Sequence, residues 1–203
     1  GAAILYDAGR MGSPAAAVRA ISTTLWTRGR THIDAVIISH ADADHFNAIP
    51  ELLERFSVGV IYMTPPMLRK KDEATRVLLA AIEARKVPIR PLYRDYFLDS
   101  PGASLHVLHP TSVGIESTRH GSVDNANSLV LLLESHNNRV LLTGDLEASG
   151  LEAVLARPID RCDLILAPHH GSPKSRPEYV MRWCRPRWTI MSSGLTPPDA
   201  LVL

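Results

Sequence analysis

The sequence predicts a mixed domain of α-helices and β-strands, with two sheets in the middle and helices outside them. Short apolar runs alternate with longer segments of helical spacing, which requires both kinds of element. A hairpin pattern in the second half excludes a purely parallel, doubly wound sheet. The 203 residues, 45% apolar and 21% charged, suit one globular domain with a substantial core.

In chain order, AILYD (3–7) is β-like and is followed by Gly9. Ser13-Pro14 has the character of an N-cap with Pro at the first helical position, opening a helix to about Trp26. DAVIIS (34–39) has no polar face and predicts a strand covered on both sides. A short helix over 49–56 and a strand over 58–63 follow. Ala74, Val77, Leu78, Ala81 and Ile82 have helical spacing within 72–86. A strand near 105–108 leads into a long polar loop, 110–126. SLVLLLES and RVLLTG, separated by HNN, predict a hairpin with Asn137-Asn138 at positive φ. A helix near 146–155, a buried strand over 163–168, a helix over 177–183 and a strand over 188–193 complete the pattern. No repeat, low-complexity tract or linker interrupts it, so the expectation is a single domain over 1–203.

The formal net charge is +1, which excludes a protein that coats nucleic acid by bulk charge; any such contact is local. No apolar run approaches the ~18 residues of a membrane span. GAAILYDAG lacks the basic start and long apolar stretch of an export signal. Cys162 and Cys184 form no CxxC pair, so they are expected to be two buried thiols rather than a thiolate metal site.

The informative residues stand where three apolar strands end. DAVIIS runs into His40-Ala41-Asp42-Ala43-Asp44-His45, RVLLTG into Asp145, and DLILA into Pro168-His169-His170-Gly171-Ser172. Carboxylates gathered at one sheet edge repel one another and call for a cation. In an extended stretch His40, Asp42 and Asp44 share one face, with His45 turning inward as the next helix begins. Asp145 could bridge two metals through its two oxygens, because paired catalytic metals lie roughly 3.5–4 Å apart. Taken singly, these residues have plainer explanations: a solvated loop, a helix N-cap at Asp145, a satisfied His pair. All must hold together to defeat a metal site.

His40-x-Asp42-x-Asp44-His45 resembles the His-x-His-x-Asp-His signature of the metallo-β-lactamase superfamily, with Asp in place of the second His. Ser39 to His45, Asn127-Ser128, Leu142 to Asp145 and Pro168 to Ser172 are similar, in that order, to the motifs of the C-terminal hydrolase domain of ComEC-type DNA-uptake (competence) proteins. The resemblance spans nearly the whole chain. It implies a four-layer αββα sandwich and two divalent metal ions. It assigns His40 and Asp42 to the first metal, Asp44 and His45 to the second, Asp145 as the bridge, and His169 or His170, with preference for His170, to complete the second site. Asn127 stands near the place of a third first-site His in other branches, as a weak ligand or a substrate-orienting residue. Asn47-Ala48 replaces a Gly pair, and Asn is expected to keep that turn through its tolerance of positive φ. The family's opening strand of Asp-Val-Gly-Gln-Gly-Asp character and its polar ending are missing, so the expected domain lacks its first strands and is incomplete at both ends.

Asp42 and Asn127 shift the first site towards oxygen ligands, which suit Mn²⁺, while imidazole favours Zn²⁺; the expected metals are Zn and/or Mn. The expected reaction is hydrolysis of DNA phosphodiesters during uptake. Asp145 or Asp42 would take the proton of the attacking water, and His169 would donate one to the leaving oxygen if His170 is the ligand. Lys174 and Arg176 are candidate phosphate contacts, though surface charge explains both more simply, and Ser172 is a further candidate substrate contact. Arg119 and His120 lie in the long loop. Arg182, Arg185 and Arg187 interleave with Trp183 and Trp188, as a stacking patch for nucleic acid or, more plainly, as aromatic packing with solvated arginines. His106, His109 and His136 read as structural. Rival functions are a small-molecule hydrolase of the same superfamily, acting on a lactam, thioester or phosphocholine ester, and a non-enzymatic domain shaping a DNA channel. A competence protein would place the domain outside the cytoplasmic membrane.

Overall fold

Four of the short apolar runs pair side by side in the first of the chain's two units, Gly1–Leu92. The computed structural model describes residues 1–100 and 102–192. β1 (Ile4–Tyr6), β2 (His32–Ile37), β3 (Ser57–Met63) and β4 (Ile89–Pro91) lie in that order, and every neighbouring pair is parallel. Parallel neighbours need crossovers. α1 (Ala15–Thr27) and α2 (Ile49–Arg55) supply the first two, and α3 (Pro65–Arg69) with α4 (Glu73–Ala84) the third. Asp72 caps α4 by accepting the Thr75 N–H at 2.8 Å. Val18, Ile33, Val36, Phe46, Leu52, Ile61, Leu78 and Ile82 form the core between helices and sheet. α3 and β4 were not anticipated, because five and three residues are too few to show a period.

The second unit, Tyr93–Leu203, carries a six-stranded mixed sheet. Its order is β10 (Trp188–Ile190), β9 (Leu164–Leu166), β8 (Asn138–Leu142), β7 (Val130–Ser135), β6 (Ala103–His109), β5 (Phe97–Ser100). β5 to β8 are antiparallel in succession, and β8, β9 and β10 are parallel. The predicted hairpin is present, but its turn falls one residue early. His136 (φ 48°) and Asn137 (φ 64°) take the left-handed positions, since the pairing of Ser135 with Asn138 leaves only those two residues between the strands. α6 (Ala148–Leu155) and α7 (Pro177–Cys184) bury Leu151, Val154 and Val180 with Leu132, Leu141 and Ile165.

The long polar loop is more ordered than its composition suggests. It holds a short helix, α5 (Val123–Ala126), whose cap Ser122 accepts the N–H groups of Asp124 and Asn125 at 3.1 and 3.3 Å. His109 ties the loop's two ends by donating from Nε2 to the Ala126 carbonyl at 2.8 Å. Cys162 and Cys184 are both buried free thiols, and the Cys162 N–H donates to the Cys184 carbonyl at 2.9 Å. Trp183 packs on the second core, while Arg182, Arg185 and Arg187 are exposed. Ser193 and the LTPPDALVL ending lie outside the described residues. Among the described residues, no helix is long and apolar enough to cross a membrane.

Candidate metal centre

The register of the first sheet brings two strand ends together. Tyr6 pairs with Ile37, so the residues that follow, Asp7 and Ser39, emerge side by side. Asp7 accepts the Ser39 N–H at 2.7 Å through Oδ1, and the Ser39 hydroxyl at 2.8 Å through Oδ2. His45 Nδ1 lies 2.8 Å from the same Oδ2. An ionised carboxylate only accepts. Ser39 therefore gives its single hydroxyl proton to Asp7 and must accept from its other partner, His40 Nδ1, at 2.9 Å. Both imidazoles thus carry their proton on Nδ1, held directly or through Ser39 by Asp7, and both turn Nε2 away from it. Partners of this kind are what fix the orientation of metal-binding histidines.

His40 Nε2 tests the fit of a cation. It is buried and has no hydrogen-bond partner, and it faces Asp42 Oδ2 at 3.5 Å, beyond hydrogen-bond length. A buried lone pair aimed at a carboxylate is costly unless a positive charge stands between them. The adjoining His40 side chain holds the Asp42 carboxyl below its ordinary value, against partial burial, and Lys70 assists. Lys70 also latches the motif by donating to the Ala41 carbonyl at 3.1 Å.

Asp44 does not lie in an extended stretch with His40 and Asp42. Ala43–His45 is a 3-10 turn, which breaks the two-residue alternation after Asp42 and carries His45 inward. The turn is seated by the Ala8 N–H, which donates to the His45 carbonyl at 2.8 Å. Gly9 permits this approach, because a Cβ there would lie only 2.4 Å from the Asp44 carbonyl oxygen. Asn47 is not at positive φ. Its amide instead bridges to Arg10, accepting from its N–H at 3.2 Å and donating to its carbonyl at 2.8 Å.

In the second unit, parallel β8 and β9 end together, delivering Asp145 and the 168–172 loop to one edge. Ser128, just before β7, accepts the Asp145 N–H at 3.1 Å. Thr143 donates to the Leu166 carbonyl at 2.7 Å, fastening the two strand ends. His169 Nε2 and His170 Nε2 stand 3.7 and 3.6 Å from the two Asp145 oxygens, Oδ2 and Oδ1. His169, His170 and Gly171 have φ of 49°, 56° and 83°, a left-handed run that two non-glycine residues adopt only under constraint. The Ser175 hydroxyl supplies part of that constraint by donating to the Pro168 carbonyl at 2.9 Å.

Several sequence candidates serve the scaffold. Asn127 is buried, with Oδ1 accepting the Ile115 N–H at 2.7 Å and Nδ2 donating to the Ile115 and Val123 carbonyls at 2.8 and 2.9 Å. With its amide engaged at both ends, it braces the loop. Ser172 Oγ caps a 3-10 turn by accepting the Lys174 N–H at 3.4 Å, while Lys174 and Arg176 are exposed. Sequence reasoning missed Asp7 and Glu147. Asp7 was hidden as the last residue of a strand-like run, although its place before Gly9 resembles the other strand-end carboxylates. Glu147 stood two residues from Asp145 without a motif of its own.

The family model described as the metallo-beta-lactamase superfamily matches residues 1–180. The chain belongs to this superfamily. Its fold class is the expected one, with helices and two sheets as in the αββα metallo-β-lactamase sandwich. The chain is 33% identical over 172 residues to ComE operon protein 3 of Bacillus subtilis, covering 84% of this chain and 21% of that protein. It is 25% identical over 193 residues to Competence protein ComA of Neisseria gonorrhoeae, covering 94% of this chain and 24% of that protein. It therefore spans about a quarter or less of the curated relatives it matches. The competence-type resemblance read from the four motifs is borne out by these relatives. Among solved structures, Zn²⁺-bound PqqB from Methylobacterium extorquens superposes with a TM-score of 0.51 at 18% identity, over 80% of this chain and 55% of that one.

Proposed function

We propose that this metallo-β-lactamase-superfamily domain hydrolyses DNA phosphodiester bonds in the setting of DNA uptake, using a pair of divalent ions, Zn²⁺ and/or Mn²⁺. The observation that carries the metal reading is the buried, unpartnered Nε2 of His40, 3.5 Å from the Asp42 carboxylate. The DNA reading rests on the competence-type relatives.

In this reading His40, Asp42, Asp44, His45, Asp145 and His170 would hold the ions. The ions, when bound, supply Lewis acidity that activates the attacking water and offsets charge on the phosphoryl oxygens. Asp7 keeps the protons of His40 and His45 on Nδ1, so both rings arrive with a lone pair on Nε2. Asp145, with Asp42 as the alternative, takes the proton from the attacking water. His169, whose own proton stays on Nδ1, receives that proton at Nε2 from Asp145 and gives it to the leaving oxygen. Lys174 and Arg119 are exposed cations for the flanking phosphates.

The test is cleavage of labelled single- and double-stranded DNA by protein stripped and reloaded with Mn²⁺, beside Asp145→Ala. Metal-dependent cleavage that vanishes in the variant is the expected result. Metal-loaded protein that leaves DNA intact but turns over a β-lactam or a thioester would replace the DNA reading with that of a small-molecule hydrolase. Full activity with zinc and none with manganese would overturn the assignment of Mn²⁺ to the oxygen-rich position.

A further inference from the structure

We propose that Glu147 is a positioning residue for His169, fixing which imidazole nitrogen faces Asp145 and tying that choice to the loop at Gly121–Ser122. Its catalytic consequence rests on the hydrolytic reading above, whereas its geometry does not.

Glu147 is buried, and both of its oxygens are engaged. Oε1 accepts the Ser122 N–H at 2.8 Å, and Oε2 lies 3.0 Å from His169 Nδ1. A carboxylate brings only acceptors to this pair of contacts. The proton between Glu147 and His169 therefore comes from Nδ1. The other tautomer would set a ring lone pair against a carboxylate oxygen in a buried place, where repulsion is poorly screened. With Nδ1 committed, Nε2 is the nitrogen turned to Asp145 Oδ2, 3.7 Å away. The backbone is held as well: the His169 N–H donates to the Gly144 carbonyl at 3.0 Å. The ring is thus fixed through its own main chain and at Nδ1.

The second half of the clamp reaches into the long loop. Gly121 has a φ of 76°, and a Cβ there would lie 2.6 Å from Glu147 Oε1. Glycine satisfies both constraints, so the Ser122 N–H can close on the carboxylate. The exposed pair Arg119-His120 immediately precedes this contact. One buried carboxylate therefore joins the segment bearing Arg119 and His120 to the orientation of His169, and a shift of that segment is transmitted to the ring.

The variant Glu147→Gln tests this, because Ser122 and His169 meet different carboxylate oxygens and the amide sets an NH2 donor in the place of one of them. The readout is two-bond ¹H–¹⁵N correlation of the imidazoles in metal-free protein above the histidine titration range, alongside steady-state DNA cleavage by metal-loaded protein. Wild type is expected to show His169 protonated on Nδ1. Glu147→Gln is expected to populate the Nε2-protonated form, with kcat reduced on the order of 10–100-fold and KM little changed. Gly121→Ala, which pushes on Oε1 from the loop side, is expected to shift the tautomer in the same direction, and it replaces Glu147→Gln if that variant fails to fold. An Nε2-protonated His169 in wild type, or a tautomer unmoved in both variants, would overturn the proposal. If wild type cleaves no DNA but the tautomer responds as described, the positioning stands and the phosphodiesterase reading falls.

Discussion

Asp7 Oδ2 lies 2.8 Å from His45 Nδ1 and 2.8 Å from the hydroxyl of Ser39, which in turn binds His40 Nδ1. One carboxylate at the end of β1 therefore sets the tautomer of both histidines of the first motif. Asp7 does so from a φ of 56°, a left-handed conformation that costs a non-glycine residue about 1–2 kcal/mol. Substituting Asp7 by Ala should weaken divalent-metal binding on the order of 10–100-fold, as loss of partners behind metal-binding histidines does. Competition against a chromophoric chelator measures this. Unchanged affinity would mean that His40 and His45 are oriented by other contacts.

Gly9 makes the seating of the 43–45 turn a matter of backbone clearance. In Gly9→Ala the new methyl meets backbone atoms of Asp44 and Phe46 at 2.4–2.8 Å, and neither segment can rotate away. The cost expected for such overpacking is about 1–3 kcal/mol, measurable by urea denaturation. A variant as stable as wild type would show that the loop after β1 yields.

Asn127→Ala separates a brace from a substrate contact. Removing the amide leaves the Ile115 N–H and carbonyl without their partner and should lower stability by about 1–3 kcal/mol, with faster proteolysis within 110–122. Unchanged stability together with a raised KM for DNA would return Asn127 to the substrate.

Burial lowers the pKa of His109 below the ordinary imidazole value, although its bond to the Ala126 carbonyl opposes this and Arg94 adds to it. The unfolded chain then binds a proton that the folded His109 resists. Stability is fully present above about pH 6.5 and is lost as pH falls from there through the lowered folded value. Denaturant midpoints between pH 8 and pH 5 should decline on acidification, and His109→Gln should flatten that slope. An equal slope in the variant would place the proton uptake elsewhere.

The fold class was legible because apolar runs dominate the sheets: DAVIIS, SLVLLLES and RVLLTG all became strands. β4 and α3 carry too little apolar pattern of their own to be read. The strand-end rule singled out His40, Asp42, His45, Asp145 and the His169-His170 pair, which all follow strand ends in the structure. It failed on local geometry, since alternation along an extended chain gave no sign of the 3-10 turn that redirects Asp44. It also passed over Asp7 and Glu147, whose contacts come from parallel register and from a partner distant in sequence. Asn127 was singled out by a position that matches a ligand's place in other branches, and nothing in the residue pattern signals that its amide is engaged with the loop.

Binding of a pair of divalent ions by these strand-end residues is the step on which the proposed hydrolysis depends. It is measured by elemental analysis of protein dialysed against Mn²⁺ and then against metal-free buffer, beside His40→Ala and Asp145→Ala. Expected are a pair of ions retained per wild-type chain, partial loss in His40→Ala and the larger loss in Asp145→Ala. Wild-type protein that retains no ion, or variants that retain as much as wild type, would overturn the metal site.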